Sequence, residues 1–138
     1  MGKSQLIICK NCNKEHLIVN KYSCSGLFCS QKCQNEYKRK EKIYLWLNEN
    51  AKIDHRQIKK YLLETKGNIC YVCHITKWNN KHITLELEHL DGNSSNNHIS
   101  NLELICPNCH SQTSTYKGAN KGNGRHYRRL RYSQGKSY

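Results

Sequence analysis

Cys70-x-x-Cys73 and Cys106-x-x-Cys109 enclose 32 residues, and each pair is spaced so that two thiolates from one tight turn can reach a single metal ion. Four thiolates complete a tetrahedral zinc shell and leave no open position, so a zinc held there is structural and pins the ends of the enclosed segment together. Any reaction must be carried by residues beside it. Glu88-His89, Asn101 and His110 lie between and just after these cysteines, and they offer a carboxylate, two imidazoles and an amide. Both cysteine motifs also read literally as C-x-x-C-H, through His74 and His110, which is the attachment signature of c-type haem. The missing export signal, the further cysteine pairs and the Glu88-His89 to Asn101 framing all favour zinc over haem.

The stretches Leu87-Glu88-His89-Leu90-Asp91-Gly92-Asn93 and Asn101-Leu102-Glu103-Leu104-Ile105-Cys106-Pro107-Asn108-Cys109-His110-Ser111-Gln112-Thr113 together resemble the HNH endonuclease motif. The resemblance covers roughly residues 56 to 118 and is to the phage-encoded, free-standing enzymes, many of them homing-type. It implies a ββα-metal nuclease core on a treble-clef-like zinc site. The reaction it implies is hydrolysis of a DNA phosphodiester to a 5′ phosphate and a 3′ hydroxyl.

Cys109 and His110 are adjacent on an expected helix, so their side chains diverge by about 100 degrees. One can serve the structural zinc while the other faces the strand bearing Glu88. Glu88 and His110 would then supply an oxygen and an imidazole to a second, open site for a catalytic divalent cation, Mg2+ or Mn2+. His89 would be the general base, because imidazole is substantially neutral at pH 7 and can take a proton from water. The resemblance further implies that a backbone carbonyl orients the His89 ring and that Asn101 bonds across the loop to hold it. Glu88 stands where aspartate is more usual, and its extra methylene shifts the metal.

These residues need elements to position them. Alternation over Ile83, Leu85 and Leu87 against Thr84, Glu86 and Glu88 predicts a strand ending at Glu88, with Glu88 on its polar face. A turn-rich loop follows over residues 91 to 97, then a short strand near Leu102 to Ile105 and a helix opening at Pro107. Upstream, a helix starts at Asp54, with Gln57 placed to complete a capping-box-like pair, buries Ile58, Tyr61 and Leu62, and stops at Gly67. Before that, Cys9-x-x-Cys12 and Cys29-x-x-x-Cys33 can close around a second structural zinc, with Ser30 capping a helix that runs to about Asn48. Cys24 fits neither pair and is either a free thiol or a substitute for one assigned ligand. His74, His82, His98 and His126 read as surface histidines, His126 being best placed to touch phosphate.

The expected organisation is α+β: an N-terminal zinc finger (1–36), a helical connector (37–66), the nuclease core (67–116) and a basic tail (117–138). That tail holds four glycines, seven Lys or Arg and no acid, and is expected to be extended and turned toward nucleic acid. Composition agrees with metal-stapled folding, since only 36% of 138 residues are hydrophobic while nine are cysteine. The formal charge is +13, and two four-thiolate zinc sites would lower it only to +9. A polyanion is therefore the expected partner, and double-stranded DNA fits it better than a membrane surface, because no basic helix with a broad apolar face is evident. A cytoplasmic protein is expected, in a bacterial host cell if the source is a phage. It would act as a monomer or weak dimer, with a non-catalytic zinc-dependent DNA-binding protein as the alternative reading.

Overall fold

The structure is a computed structural model that describes residues 6–17, 26–119 and 125–136, the side chains of 118 and 125–128 excepted. Cys24 and the side chain of His126 lie outside the described residues. The chain divides into two units, Met1–Ala51 and Lys52–Tyr138.

In the first unit, β1 (Leu6–Ile8) pairs antiparallel with β2 (Glu15–Leu17), and the connecting turn carries Cys9 and Cys12. Cys9 N–H donates to the Lys14 carbonyl at 2.9 Å, and Asn13 N–H donates to the Cys9 carbonyl at 2.9 Å. That closure puts Asn13 at φ 57, a left-handed position that asparagine tolerates better than most residues. Ser30 Oγ accepts from Cys33 N–H at 3.2 Å and caps α1 (Gln31–Glu49), as expected. Asn11 ties the turn to this helix by donating to Glu36 and accepting from Lys40. Phe28 is buried, its ring 5.3 Å from that of Tyr37.

In the second unit, Asp54 caps α2 (His55–Lys66) by accepting from Arg56 N–H at 2.8 Å. The expected pairing with Gln57 does not form. The Arg56 side chain takes the Asp54 carboxylate instead, and Gln57 Oε1 is buried without a hydrogen-bond partner. Ile58 and Leu62 are buried, Tyr61 is half-buried, and Gly67 ends the helix at φ 81. A two-residue-per-strand hairpin follows, β3 (Lys77–Trp78) and β4 (Lys81–His82). Asn79 and Asn80 turn it at φ 48 and 60, the paired left-handed geometry of a tight hairpin.

The expected strand over Ile83 to Glu88 is shorter and shifted. It is β5 (Glu86–His89), antiparallel to β6 (Leu102–Ile105), with Glu88 opposite Glu103 and His89 opposite Leu102. Ile83 instead closes the base of the β3–β4 hairpin through its N–H to the Thr76 carbonyl. The polar face of β5 is not the solvent face: α3 (Pro107–Ser111) packs over it, and Glu88 is only 7% exposed. On the other side α2 packs against β5 and β6, and Ile58, Leu62, Leu85, Leu102, Leu104 and Ile105 form the core. Replacing the fully buried Leu62 by Ala should cost about 2–5 kcal/mol through the cavity left behind. Urea denaturation of the zinc-loaded protein measures it, and a change well under 1 kcal/mol would mean that α2 is not part of the core.

The tail is not wholly extended. Residues Arg125–Ser133 form α4, whose end is closed by Lys136 N–H to the Arg131 carbonyl and Gly135 N–H to the Tyr132 carbonyl. Gly135 sits at φ 68, where a glycine lets the chain reverse. Glycine content and charge suggested extension, but the glycines flank this segment and leave its interior free of helix breakers.

Candidate functional site

The eight assigned cysteines gather as expected into Cys9, Cys12, Cys29, Cys33 and into Cys70, Cys73, Cys106, Cys109, with the sulfurs of each group within 4.8 Å of one another. Individual sulfur pairs stand at 3.6 Å (Cys12–Cys29), 3.4 Å (Cys29–Cys33) and 3.8 Å (Cys73–Cys106). A disulfide needs about 2.05 Å. The tetrahedral edge for zinc–sulfur bonds of about 2.3 Å is about 3.8 Å, so the spacing fits zinc. The two turns share one design, because His74 at φ 58 repeats the role of Asn13 and returns its N–H to the Cys70 carbonyl at 2.9 Å.

The electrostatics of each group also call for a cation. Burial would raise the Cys70 thiol, but backbone N–H groups of Cys73, Cys106 and Val72 bring it down to about 6. Cys109, facing the Cys73 sulfur and then burial, is pushed up to about 12. Cys9 (about 6) and Cys29 (about 12) repeat the division. Four thiolates cannot crowd together on their own charge, and a dication removes the conflict. Because the cysteines of both C-x-x-C-H motifs converge on one cluster, with His110 engaged elsewhere, the arrangement does not fit haem attachment.

Beside the second cluster, a cleft of about 130 Å³ is lined by Glu88, His89 and His110, with Gly92, Ser94 and Thr115. The buried Glu88 presents Oε2 to His110 Nε2 at 3.0 Å, and its Oε1 accepts from Thr115 Oγ1 at 2.9 Å. The other ring nitrogen of His110, Nδ1, is paired with Glu86 Oε2. An imidazole with a carboxyl group at each nitrogen is satisfied when both nitrogens donate, when one carboxyl group carries the proton, or when a cation stands in place of one proton. Oxygen and nitrogen ligands about 2.1 Å from an octahedral ion and adjacent in its shell stand about 3.0 Å apart, so Glu88 and His110 fit a hard divalent cation.

His89 is half-buried, its Nε2 3.0 Å from Asn97 Oδ1 and its ring centroid 5.4 Å from that of His55. Its ring partner is thus an amide side chain where a backbone carbonyl was expected. Asn101 lies behind the cleft rather than in it. Its Oδ1 accepts from Asp91 N–H, and its Nδ2 donates to Asp91 Oδ1 and the Asn96 carbonyl, each at 2.9–3.0 Å. This ties the loop that carries Asn97 and so reaches His89 through one intermediate. Burial would raise the Asp91 carboxyl, but donors from Asn96, Asn93 N–H and Asn101 outweigh it and hold the group below its ordinary value. By linkage these contacts stabilise the loop above the ordinary aspartate value, and the stabilisation is lost as pH falls from there through the group's own lowered value.

Glu86, Asn97 and Thr115 were not foreseen. Glu86 had a usable signal, since residues two apart on a strand share a face and Glu86 therefore looks the same way as Glu88. Asn97 and Thr115 carried none.

The geometry defines a small α+β chain with two four-cysteine clusters, each able to hold zinc, and an acid–imidazole cleft on a strand–loop–strand–helix unit. In sequence it is similar to an HNH endonuclease of phage type: it is 42% identical over 79 residues to the H-N-H endonuclease F-TflIV of Escherichia phage T5. The matched stretch is 56% of this chain and 35% of that protein, so the chain spans about a third of its relative's length. No family model and no solved structure matches the chain. Among the described residues, no helix is long and apolar enough to cross a membrane.

Proposed function

We propose that this chain is a metal-dependent DNA endonuclease whose ββα-metal core is β5, the loop to β6, β6 and α3, and that it is of the phage homing type. The observation that carries the reading is the buried Glu88 facing His110 Nε2 at 3.0 Å in the cleft that also holds His89. Its partner is double-stranded DNA, which the charge of +13 favours, and its setting is the cytoplasm of a bacterial host. Zinc in the two cysteine clusters is structural. The N-terminal finger (1–36), connector (37–66) and tail (117–138) supply specificity, while the core (67–116) grips the backbone.

Magnesium or manganese held by Glu88 and His110 would supply Lewis acidity to the scissile phosphate and the leaving 3′ oxygen. His89 donates Nε2–H to Asn97 Oδ1, which leaves Nδ1 with the lone pair that takes a proton from the attacking water. Asn101 keeps the loop of Asn97 in place, and Thr115 fixes the rotamer of Glu88 by donating to it. Glu86 accepts Nδ1–H of His110 and so turns the Nε2 lone pair into the cleft. Glu86→Ala should therefore weaken Mn2+ binding by about 10–100-fold, read by metal titration without DNA; unchanged affinity would remove Glu86 from the site. One such site cuts one strand, so a monomer nicks.

The reading is tested by incubating zinc-loaded protein with supercoiled plasmid and Mg2+ or Mn2+. Conversion to open-circle or linear DNA, abolished by EDTA, is expected. If folded, DNA-binding protein converts neither plasmid nor phage genomic DNA, the non-catalytic DNA-binding reading replaces it.

A further inference from the structure

The β3–β4 hairpin contributes nothing to the core, because all four of its strand residues are exposed, Trp78 at 66%. Its shape is nonetheless fixed, by the Asn79-Asn80 turn at the tip and the Ile83–Thr76 hydrogen bond at the base. A rigid projection that displays a tryptophan to water needs a reason, since tryptophan is usually largely buried. A groove of about 670 Å³ is bounded by Trp78, Lys81 and His82 from the hairpin and by Pro107, Asn108 and Gln112 from the start of α3. Among the described residues, no carboxylate lines it. The side chains of Lys77, Trp78, Asn79, Lys81, His82 and Asn108 make no hydrogen bond, ion pair or ring contact among the described residues. None is thus spent on the sulfurs of Cys73, Cys106 and Cys109, which also line the groove.

We propose that this hairpin and groove form a second DNA contact, in which Trp78 stacks on a nucleobase while Lys77, Lys81 and His82 take the flanking phosphates. The inference rests on the DNA reading above and adds a binding surface to it. Cations and an aromatic face side by side, with the unpaired Asn108 amide opposite, are the chemistry that holds a nucleic-acid strand with little sequence preference. The placement suits a substrate strand, because α3 separates the two surfaces: Cys109 and Gln112 line the groove, and His110 lines the cleft. A strand crossing α3 would touch both.

The experiment exploits the chain's having only two tryptophans, of which Trp46 is buried. Zinc-loaded wild type, Trp78→Phe, Trp78→Ala and Lys77→Ala/Lys81→Ala are titrated without Mg2+ against fluorescein-labelled 20-nucleotide single-stranded and duplex DNA. Anisotropy and tryptophan fluorescence are read together. Wild-type fluorescence should be quenched on binding. In Trp78→Phe the quenching should vanish while binding stays within a few-fold, and Trp78→Ala should bind about tenfold more weakly. The double lysine variant should lower the slope of log affinity against log salt by about 2. Stronger quenching by single-stranded DNA would identify an unpaired stretch as the occupant, and equal quenching a duplex end or groove wall. Full anisotropy change with unquenched fluorescence and unaltered Trp78→Ala affinity would overturn the hairpin contact and leave the nuclease reading standing. Trp78 would then be a shield for the cysteine cluster, and Trp78→Ala would lose zinc faster to a chelator. Absence of binding by every variant would overturn the DNA reading itself.

Discussion

His89→Ala should lower strand cleavage by about 10²–10⁴-fold under single-turnover conditions while changing DNA affinity by less than about twofold. The separation follows from where His89 sits. It lines the same cleft as Glu88 and His110, and the partners described for it are the Asn97 amide at one nitrogen and the ring of His55 beside it, neither of them one of the lysines or arginines that supply the basic charge. Removing the ring takes away the proposed proton acceptor and leaves the Glu88–His110 pair and the basic surface intact. It costs little in folding, because His89 is half-buried and the loop is tied independently by Asn101. Parallel anisotropy and plasmid assays decide the matter. Residual cutting equal to wild type would show that another group, or bulk hydroxide, takes the proton.

Stripping zinc should unfold the second unit rather than only inactivate it. Its apolar core is a handful of aliphatic side chains from α2, β5 and β6, too few to offset the ordering of the loops around them. Zinc bound at a four-thiolate site contributes apparent free energy of about 10–16 kcal/mol, as much as the whole stability of an ordinary domain. Cys70 and Cys106 are both buried, and Cys106 N–H donates to the Cys70 sulfur at 3.3 Å, so a zinc held by the cluster would fasten the knuckle directly to the end of β6. Chelation, or Cys106→Ser, should therefore abolish the cooperative unfolding transition and native-like amide protection of Leu102–Ile105. Re-addition of zinc should restore both to the chelated wild type. Retention of a sharp transition after complete zinc removal would show that apolar packing suffices.

Local chemistry determined much of this protein before any tertiary contact. Cysteine spacing marked both clusters, because a C-x-x-C turn, or a C-x-x-x-C pair at a helix start as at Cys29 and Cys33, brings two sulfurs together locally. Ser30, Asp54 and Pro107 marked helix starts, because capping and a missing N–H act within one turn. The motif spanning Glu88 to His110 brought out three residues that do share one cleft. Alternation put Glu88 on the polar face of its strand, and the divergence of Cys109 and His110 turned His110 toward that face, where α3 packs over β5 and buries Glu88. The strand's bounds were less legible, because Ile83 is taken by the neighbouring hairpin. The second carboxylate on His110, the amide at His89 and the hydroxyl on Glu88 come from 24, 8 and 27 residues away in sequence. Those pairings are set by the β5–β6 register and by the angle at which the chain leaves β6 into α3. Neither is encoded by nearby residues, so only the folded chain could decide which groups complete the site.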